Sequence, residues 1–329
     1  KAIGPYLNFF MNNEKFSELV LKEVTKQKKK YGSGKQKEKI VIESPGPNTN
    51  KPLHLGHMRN MILGTSMSNI FRLLGNNVTN VDIVNDRGIH ICKSMLSYKY
   101  FGEGKKPNKK SDHFVGDFYV LFSKQLEKET GTEEELRKML VDWENGDREV
   151  RALWKKMNKW ALDGFKETYS RLGMKIDKTY FESDHYKDGK DIVASGLKKN
   201  IFKEEDSNIV IDLNDCNLGK RVVLRADGTS VYITQDIALA VKRYKELKMD
   251  RMLYVVGEEQ RDHFKALFKI LEILGYPFAK NCFHLWYGMV NLPEGKMKSR
   301  EGTVVDADDL MDEMHALAKE KIKEHGSSE

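Results

Sequence analysis

Cysteine is scarce in this chain, which has only three among its 329 residues. Cys92, Cys216 and Cys282 are far apart, odd in number and without a Cys-x-x-Cys pair. This spacing argues against a disulfide framework and against a cysteine-rich zinc site. Such a sequence suits a reducing compartment, so we expect a cytoplasmic protein, and we assign no metal-ligating residue.

Long apolar runs are also missing. No stretch approaches the length of a membrane-spanning helix, so the sequence predicts no membrane partner. No signal-peptide pattern follows Lys1. Because the chain does not begin with methionine, we expect a fragment of a longer protein.

Acidic residues are outnumbered by basic ones, 49 against 56, which gives a net charge of +7. A basic chain of this size often binds a polyanion, so nucleic acid or a nucleotide is an expected partner, although many basic proteins bind neither. Hydrophobic residues make up 40% of the chain, which is enough for a large core. The length suits one large domain with an insertion, or two or three modules.

The first half of the chain has the pattern of a strand, a loop, a helix and a second strand. Residues 40–43 predict a buried strand, 56–74 a helix that ends at Gly75, and 78–86 a strand rich in β-branched residues. A βαβ unit implies a parallel sheet, with its site at the carboxyl ends of the strands.

A polar break near residue 100 begins a segment of different character. Residues 147–172 predict a charged helix, in which Trp154 and Trp160 are interpreted as core or interface residues. The remaining predicted segments are helices and strands of ordinary length, a linker and an apolar run. They are a helix at 6–24, a lysine-rich linker at 26–39, strands at 208–213 and 221–225, a helix at 234–247, a strand at 252–257, a helix at 262–274, an apolar run at 283–290 and a helix at 306–324.

The loop "SPGPNTNKPLHLGHMRN" at 44–60 leads into the first of these helices after the opening strand. A helix amino terminus offers unpaired N–H groups and a partial positive charge, which suit a phosphate. Gly56 allows close backbone approach, and His54 and His57 could donate hydrogen bonds to a phosphorus centre as charge builds on its oxygens. A metal-ligand pair and a chance occurrence are the alternatives.

A second loop, "GKMKSREGTVV" at 295–305, follows the last apolar run. Lys296, Lys298 and Arg300 could close onto a triphosphate as a mobile positive clamp. By itself this is an ordinary basic turn. In this order, after the histidine loop and across an interrupted sheet, the pair of loops is far more specific.

The two loops resemble the signatures of class I aminoacyl-tRNA synthetases: "HLGH" is similar to HIGH, and "KMKSR" is similar to KMSKS. The resemblance implies an α/β fold with a Rossmann-type parallel sheet interrupted by an α+β connective insertion. It also implies activation of an amino acid with ATP and Mg²⁺, followed by transfer to the 3′ end of tRNA.

The neighbouring residues resemble arginyl-tRNA synthetases, through "ESPGPNTNKPLHLGHMRN", "NDRGIH", "GTSVYITQDIALA" and "YVVGEEQRDHF". The match runs through essentially the whole chain, without the family's carboxyl-terminal anticodon-binding domain, so we expect an excised catalytic core. The implied partners are L-arginine, ATP and tRNA(Arg), and we expect a monomer. Another HIGH-type synthetase or adenylating enzyme, and a non-catalytic tRNA-binding module, are the rival hypotheses.

The resemblance assigns arginine recognition to five residues. A guanidinium is best held by carboxylates in a fork geometry. Tyr232 and Asp236 are four residues apart, which can place both on one helix face. The full set implied for arginine is Glu43, Asn48, Tyr232, Asp236 and Gln260. Without the resemblance, Asp236 could be a simple first-turn helix charge and Gln260 a surface polar residue.

One departure concerns the second signature, which has Ser299 where the family pattern has lysine. Some arginyl enzymes with this loss carry a lysine just before HIGH, and Lys51 lies three residues before His54. We therefore predict that Lys51 supplies the missing positive charge. The residues predicted to catalyse are His54, His57, Lys51 and Lys296. Those predicted to bind ATP are His54, Gly56, His57, Lys51, Lys296, Met297 and Lys298.

The expected domain boundaries follow from the same resemblance. They are 1–38 for the end of an amino-terminal domain and a basic linker, 39–99 for the first half of the catalytic domain, 100–225 for the insertion, 226–305 for the second half with the KMSKS-like loop, and 306–329 for the start of a helical connection.

Overall fold

A computed structural model describes residues 2–3, 5–226, 228–288, 291–292, 295–296 and 305–324. At the amino end, two short strands, β1 (Ala2–Ile3) and β2 (Tyr6–Leu7), pair with each other. Helix α1 (Asn13–Gln27) begins later than the predicted 6–24. The reason is a side-chain cap, since Asn12 Oδ1 accepts a hydrogen bond from the Lys15 N–H at 3.0 Å.

The first half of the central sheet follows the predicted βαβ pattern closely. Its elements are β3 (Lys39–Glu43), α2 (Leu55–Leu73), β4 (Asn77–Val84) and α3 (Ile89–Phe101). Helix α2 ends as expected, because Gly75 has φ +93° and a Cβ there would lie 2.8 Å from the Gly34 oxygen.

Three helices, which form a helical layer, come next and are followed by a strand. They are α4 (Ser111–Gln125), α5 (Thr132–Glu144), α6 (Arg148–Arg171) and β5 (Lys178–Phe181). Trp154 and Trp160 pack against the buried cluster of this layer, as their spacing indicated. Helix α6 matches the helix predicted at 147–172.

Strand β5 corrects the predicted insertion at 100–225. It pairs in parallel with β4, through Val81↔Lys178 to Val84↔Phe181, and is therefore a strand of the central sheet. The predicted insertion is thus divided into a helical part before β5 and a smaller part after it. Four residues with a lysine at one end are too short to show strand periodicity in the sequence.

The smaller part contains two short helices and an antiparallel three-stranded sheet. These are α7 (Glu182–His185), α8 (Lys190–Lys198), β6 (Lys203–Glu205), β7 (Asn208–Asp212) and β8 (Lys220–Leu224). The strands predicted at 208–213 and 221–225 are confirmed within one residue at each end.

The chain then returns to the central sheet. Its last elements are α9 (Tyr232–Leu247), β9 (Arg251–Val255), α10 (Arg261–Ile273), β10 (Cys282–Leu285), the short pair β11 (Asn291–Leu292) and β12 (Gly295–Lys296), and α11 (Ala307–Glu324). The central sheet has the order β10-β9-β3-β4-β5, and all its pairs are parallel. The predicted α/β fold is confirmed.

The core of this sheet lies on both faces, because side chains alternate along each strand. Ile40 and Ile42 pack with Met67 and Phe71 of α2, while Val41 packs with α9 and α10 on the other face. No described helix is long and apolar enough to cross a membrane. All three cysteines are free.

Candidate active site

The sequence-predicted residues converge on a cleft of about 680 Å³ at the carboxyl ends of the parallel strands. This is where an open α/β sheet places its ligands. The predicted residues that line it are Asn48, Lys51, His54, Gly56, His57, Tyr232, Asp236 and Gln260. Glu43 does not line the cleft, and Met297 and Lys298 lie outside the described residues.

The histidine pair forms a reciprocal cap at the start of α2. The Gly56 N–H donates to His54 Nδ1 at 3.1 Å, and the His54 N–H donates to His57 Nδ1 at 3.2 Å. Each Nδ1 is therefore an acceptor, so in the neutral rings the proton is carried by Nε2. The backbone of the helix start thus fixes the tautomer of both imidazoles and leaves two Nε2–H donors.

Gly56 is required for this cap. A Cβ at this position would lie 3.0 Å from His54 Cε1 and 3.1 Å from His54 Nδ1. A side chain here would push the His54 ring away from the N–H that holds it. The glycine between the two histidines therefore permits the capping geometry as well as close approach of a ligand.

Both imidazoles are held in the neutral form. Burial and, to a smaller extent, the positive charge of Lys51 together lower the pKa of His54 to about 4. Burial and the neighbouring His54 and Lys51 also hold the pKa of His57 well below its ordinary value. At neutral pH the pair offers two uncharged, oriented donors rather than two cations.

Lys51 lies where the sequence placed it, beside the histidines. It lines the cleft together with His54, and it also lines a second cavity of about 190 Å³. Burial lowers the pKa of its ammonium group, which shows a partly desolvated charge. A charge in this setting acts more strongly on a nearby phosphate than an exposed one does.

The loop that carries these residues is ordered by backbone pairing rather than being a loose turn. The Asn85 N–H donates to the Pro47 oxygen at 2.9 Å, and the Thr49 N–H donates to the Asn85 oxygen at 3.1 Å. Asn48 therefore extends β3 alongside the end of β4. This pairing places its side chain at the cleft wall.

The same cleft is lined by four of the residues predicted for arginine: Asn48, Tyr232, Asp236 and Gln260. Tyr232 is the first residue of α9, and Asp236 follows one turn later. Asp236 Oδ2 lies 2.6 Å from His263 Nε2, so its carboxylate is oriented by a second side chain. Gln260 is exposed in a short turn before α10.

Glu43 departs from the direct contact predicted for it. It is buried at the end of β3, and its carboxylate pairs with Arg243 of α9, which is only 1% exposed. Burial raises the pKa of Glu43 even though Arg243 acts to lower it. A guanidinium of the protein itself thus takes the place that the sequence analysis gave to the substrate.

Glu182 is a carboxylate that the sequence analysis missed. It follows β5 directly and does not itself line the cleft. Burial raises its pKa to about 7 although the Arg87 guanidinium, 3.9 Å away, acts to lower it, and the charges of Asp86 and Asp236 add to the rise. Glu182 and Asp236 also both act on the Tyr232 hydroxyl. The signal that could have found it is an acidic residue at the end of a strand, but that strand was itself overlooked.

The KMSKS-like loop is described only at its start. The backbone of Lys296 belongs to β12, which pairs with β11. Met297, Lys298, Ser299 and Arg300 are outside the described residues, so their contacts with ATP stay predictions.

The neutral His54 gives a pH-dependent stability that can be measured. Its pKa is about 4 in the fold and near 6.5 in the unfolded chain, so as the pH falls below 6.5 the unfolded chain takes up a proton first. The stability tied to its neutral form is present above pH 6.5 and lost toward pH 4. We expect the advantage of the parent over His54→Gln in unfolding free energy to shrink by up to about 3 kcal/mol across that window.

Urea unfolding of both proteins at several pH values checks this expectation. Taking the difference between parent and variant removes the opposite trend of Asp82 and Glu182, whose pKa values are raised to about 7. A difference that stays constant from pH 7 to pH 4 would show that His54 is not buried in its neutral form.

Comparison with known proteins shows the family to which this chain belongs. The family described as tRNA synthetases class I (R), catalytic domain, matches residues 20–329. The chain is 54% identical to an arginine–tRNA ligase of Treponema denticola, over 99% of this chain and 57% of that protein. It is 52% identical to one of Bacteroides thetaiotaomicron, over 87% of this chain and 52% of that protein.

A solved structure shows the same fold. The arginyl-tRNA synthetase of Thermus thermophilus superposes with a TM-score of 0.77 at 22% identity, over 99% of this chain and 60% of that chain. The chain thus spans a little over half the length of the curated relatives it matches, 57% and 52% for the two above. The family match covers all of the described cleft and central sheet, so the chain belongs to the class I tRNA synthetases (R), as their catalytic domain.

Proposed function

We propose that this chain is the catalytic core of an arginine–tRNA ligase. Arginine and ATP would form arginyl-adenylate and pyrophosphate, and the arginyl group would then pass to the 3′-terminal ribose of tRNA(Arg). The observation that carries the proposal is a single cleft lined by neutral histidine donors, by Lys51 and by the carboxylates of Asp236 and Glu259. That distribution suits a substrate pair of opposite charge.

The phosphate end acts by positioning and electrostatics. An oxygen of the arginine carboxylate attacks the α-phosphorus in line, a C–O–P bond forms, and pyrophosphate leaves. The Nε2–H groups of His54 and His57 donate to the oxygens that gain charge, and Lys51 and Lys296 balance the charge of the triphosphate. Because the rings are held by the helix start, little reorganisation is needed when the charge develops.

Among the residues that the structure describes, the side chains lining the cleft form no group that could hold Mg²⁺. The three-residue group that could hold a metal among the described residues is Asp112, His113 and Asp308, and none of these lines the cleft. Lys110 Nζ lies 2.8 Å from oxygens of both aspartates, so an ammonium group already fills that position. We propose that Mg²⁺ arrives with the phosphates of ATP, and no step depends on a protein ligand for it.

The substrate guanidinium is proposed to bind two carboxylates, those of Asp236 and Glu182. The pKa of Glu182 is raised mainly by burial, even with the Arg87 guanidinium 3.9 Å away, so a bound substrate guanidinium would further stabilise its charged form. We propose that Asp236, Glu182 and Tyr232 bind the guanidinium, while Asn48 and Gln260 bind the amino and carboxylate ends. Glu43 supports this set from beneath through its pair with Arg243.

Arginine selectivity tests the assignment. Calorimetric titration of the chain should show arginine binding at least about tenfold tighter than citrulline, because citrulline lacks the charge that the carboxylates bind. Asp236→Asn and Glu182→Gln should each weaken arginine binding about 10- to 100-fold, the range expected for a hydrogen bond to a charged group. Asp262→Asn is the matched control, since Asp262 is exposed on α10 and does not line the cleft.

Equal affinity for arginine and citrulline would contradict the proposal that carboxylates bind the guanidinium. So would unchanged arginine binding in both Asp236→Asn and Glu182→Gln. An effect of Asp262→Asn as large as theirs would point to a general loss of negative charge instead.

The remaining sequence predictions belong to the same proposal. They are the domain boundaries, with β5 reassigned to the catalytic sheet, a monomeric state and a cytoplasmic location.

A further inference from the structure

The segment after the KMSKS-like loop is attached to the histidine loop by backbone hydrogen bonds. The Leu55 N–H donates to the Val305 oxygen at 2.9 Å, and the Ala307 N–H donates to the Leu53 oxygen at 3.0 Å. His54 and Asp306 thus form an antiparallel bridge. The residues at the end of the second loop therefore fix the backbone on both sides of His54.

The same segment is tied on its other side to the helical layer by a buried charge cluster. This Asp308 cluster consists of Lys110, Asp112, Thr168, Arg171 and Asp308, and His113 Nε2 lies beside it, 3.6 Å from Asp308 Oδ2. Lys110 Nζ lies 2.8 Å from Asp308 Oδ2 and 2.8 Å from Asp112 Oδ2. Thr168 Oγ1 and Arg171 Nη1 donate to the two oxygens of Asp308 at 3.0 and 2.8 Å.

The cluster is buried at the point where α4, α6 and the start of α11 meet. The side chain of Asp112 is fully buried, that of Asp308 is 8% exposed and that of Lys110 is 17% exposed, while Arg171 reaches the cluster from the surface and is 38% exposed. Gly164 makes room for it, since a Cβ there would lie 2.3 Å from Asp112 Oδ1. Buried, hydrogen-bonded charges hold a geometry closely, because a partner that moves leaves a charge unpaired.

None of the five residues lines the cleft. Their contacts nevertheless form a continuous path from the helical layer to the histidine loop. Asp308 is held by α4 and α6, and Asp306 accepts the Asp308 N–H at 2.8 Å at the start of α11. The bridge from Asp306 to His54 completes the path.

We propose that Asp308 is a positioning residue for adenylate formation: through Lys110, Thr168 and Arg171 it fixes the end of the KMSKS-like loop against the histidine loop. This inference rests on the proposed function and adds a structural requirement to it. The helical layer contributes to catalysis by setting where residues 53–55 and 305–307 lie, without touching a substrate.

The test is Asp308→Asn in the full-length protein with tRNA(Arg). The kcat of arginine-dependent ATP–pyrophosphate exchange should fall about 10- to 100-fold, since small displacements of catalytic groups cost that much. Arginine binding by calorimetry should keep its stoichiometry and stay within about twofold in affinity, because sites without shared partners behave independently. Lys110→Met should give the same pattern, and Lys110→Arg should restore most of the rate.

Asp312→Asn is the control, because Asp312 also contacts Arg171 but is 72% exposed on the same helix. Its exchange rate should stay within about twofold of the parent, as expected for a surface charge. Exchange by Asp308→Asn and Lys110→Met within about threefold of the parent would overturn the inference. Loss of arginine binding in step with the rate would also overturn it, by showing a folding defect. A parent without arginine-dependent exchange would instead refute the proposed function.

Discussion

Lys51→Ala in the full-length protein is expected to lower arginine-dependent ATP–pyrophosphate exchange about a hundredfold, a loss of about 2.7 kcal/mol in transition-state stabilisation. The KMSKS-like loop has Ser299 in place of a lysine, so one positive charge is missing there. Lys51 lies beside His54 and lowers the pKa of that ring, which shows how close its charge is to the phosphate end of the cleft.

A variant of the neighbouring Lys109 is the control that distinguishes a specific role of Lys51 from a general effect of positive charge. Lys109 shares the smaller cavity with Lys51, but it pairs with Asp117 and does not line the cleft. Lys109→Ala should therefore keep exchange within about threefold of the parent, as expected for a surface charge. If Lys51→Ala also stayed within that range, the missing charge would have to come from elsewhere.

Arg243→Met is expected to lower the free energy of unfolding by about 3–5 kcal/mol, the cost of leaving a buried charge without its partner. Arg243 is 1% exposed, its guanidinium pairs with Glu43, and its charge lies over the Tyr180 ring at 4.9 Å. Because burial already raises the pKa of Glu43, loss of Arg243 should raise it further and favour a protonated, poorly bonded carboxyl.

The double variant Glu43→Gln with Arg243→Met provides the control. Removing both charges should recover part of the loss, since the uncompensated carboxylate is gone. Urea unfolding of the parent, both single variants and the double variant measures the coupling. A double variant that is less stable than Arg243→Met would show that the pair is not the source of the effect.

The sequence pattern was sufficient where one face of an element is buried over its whole length. Helices α2, α6, α9 and α10 and strands β3, β4 and β9 were predicted within a few residues, because their apolar positions repeat with the period of the structure. The cleft could be predicted as well, since parallel strands bring their carboxyl ends to one edge.

Contacts between residues far apart in the chain could not be predicted from the sequence. Nothing near Glu43 shows that its carboxylate meets Arg243, which lies two hundred residues away and was read only as part of a helix. Strand β5 was missed because its four residues show no clear alternation, and Glu182 was missed with it. The role of the histidines as a helix cap depends on the direction of two backbone N–H groups, which only coordinates reveal.

The most direct test of the account is arginine-dependent ATP–pyrophosphate exchange by the full-length protein with tRNA(Arg), compared with citrulline and lysine as amino-acid substrates. The account predicts that exchange with lysine or citrulline is about a hundredfold or more slower than exchange with arginine, because the proposed site binds a charged guanidinium through carboxylates. Exchange that is equally fast with citrulline, or absent with arginine, would contradict it.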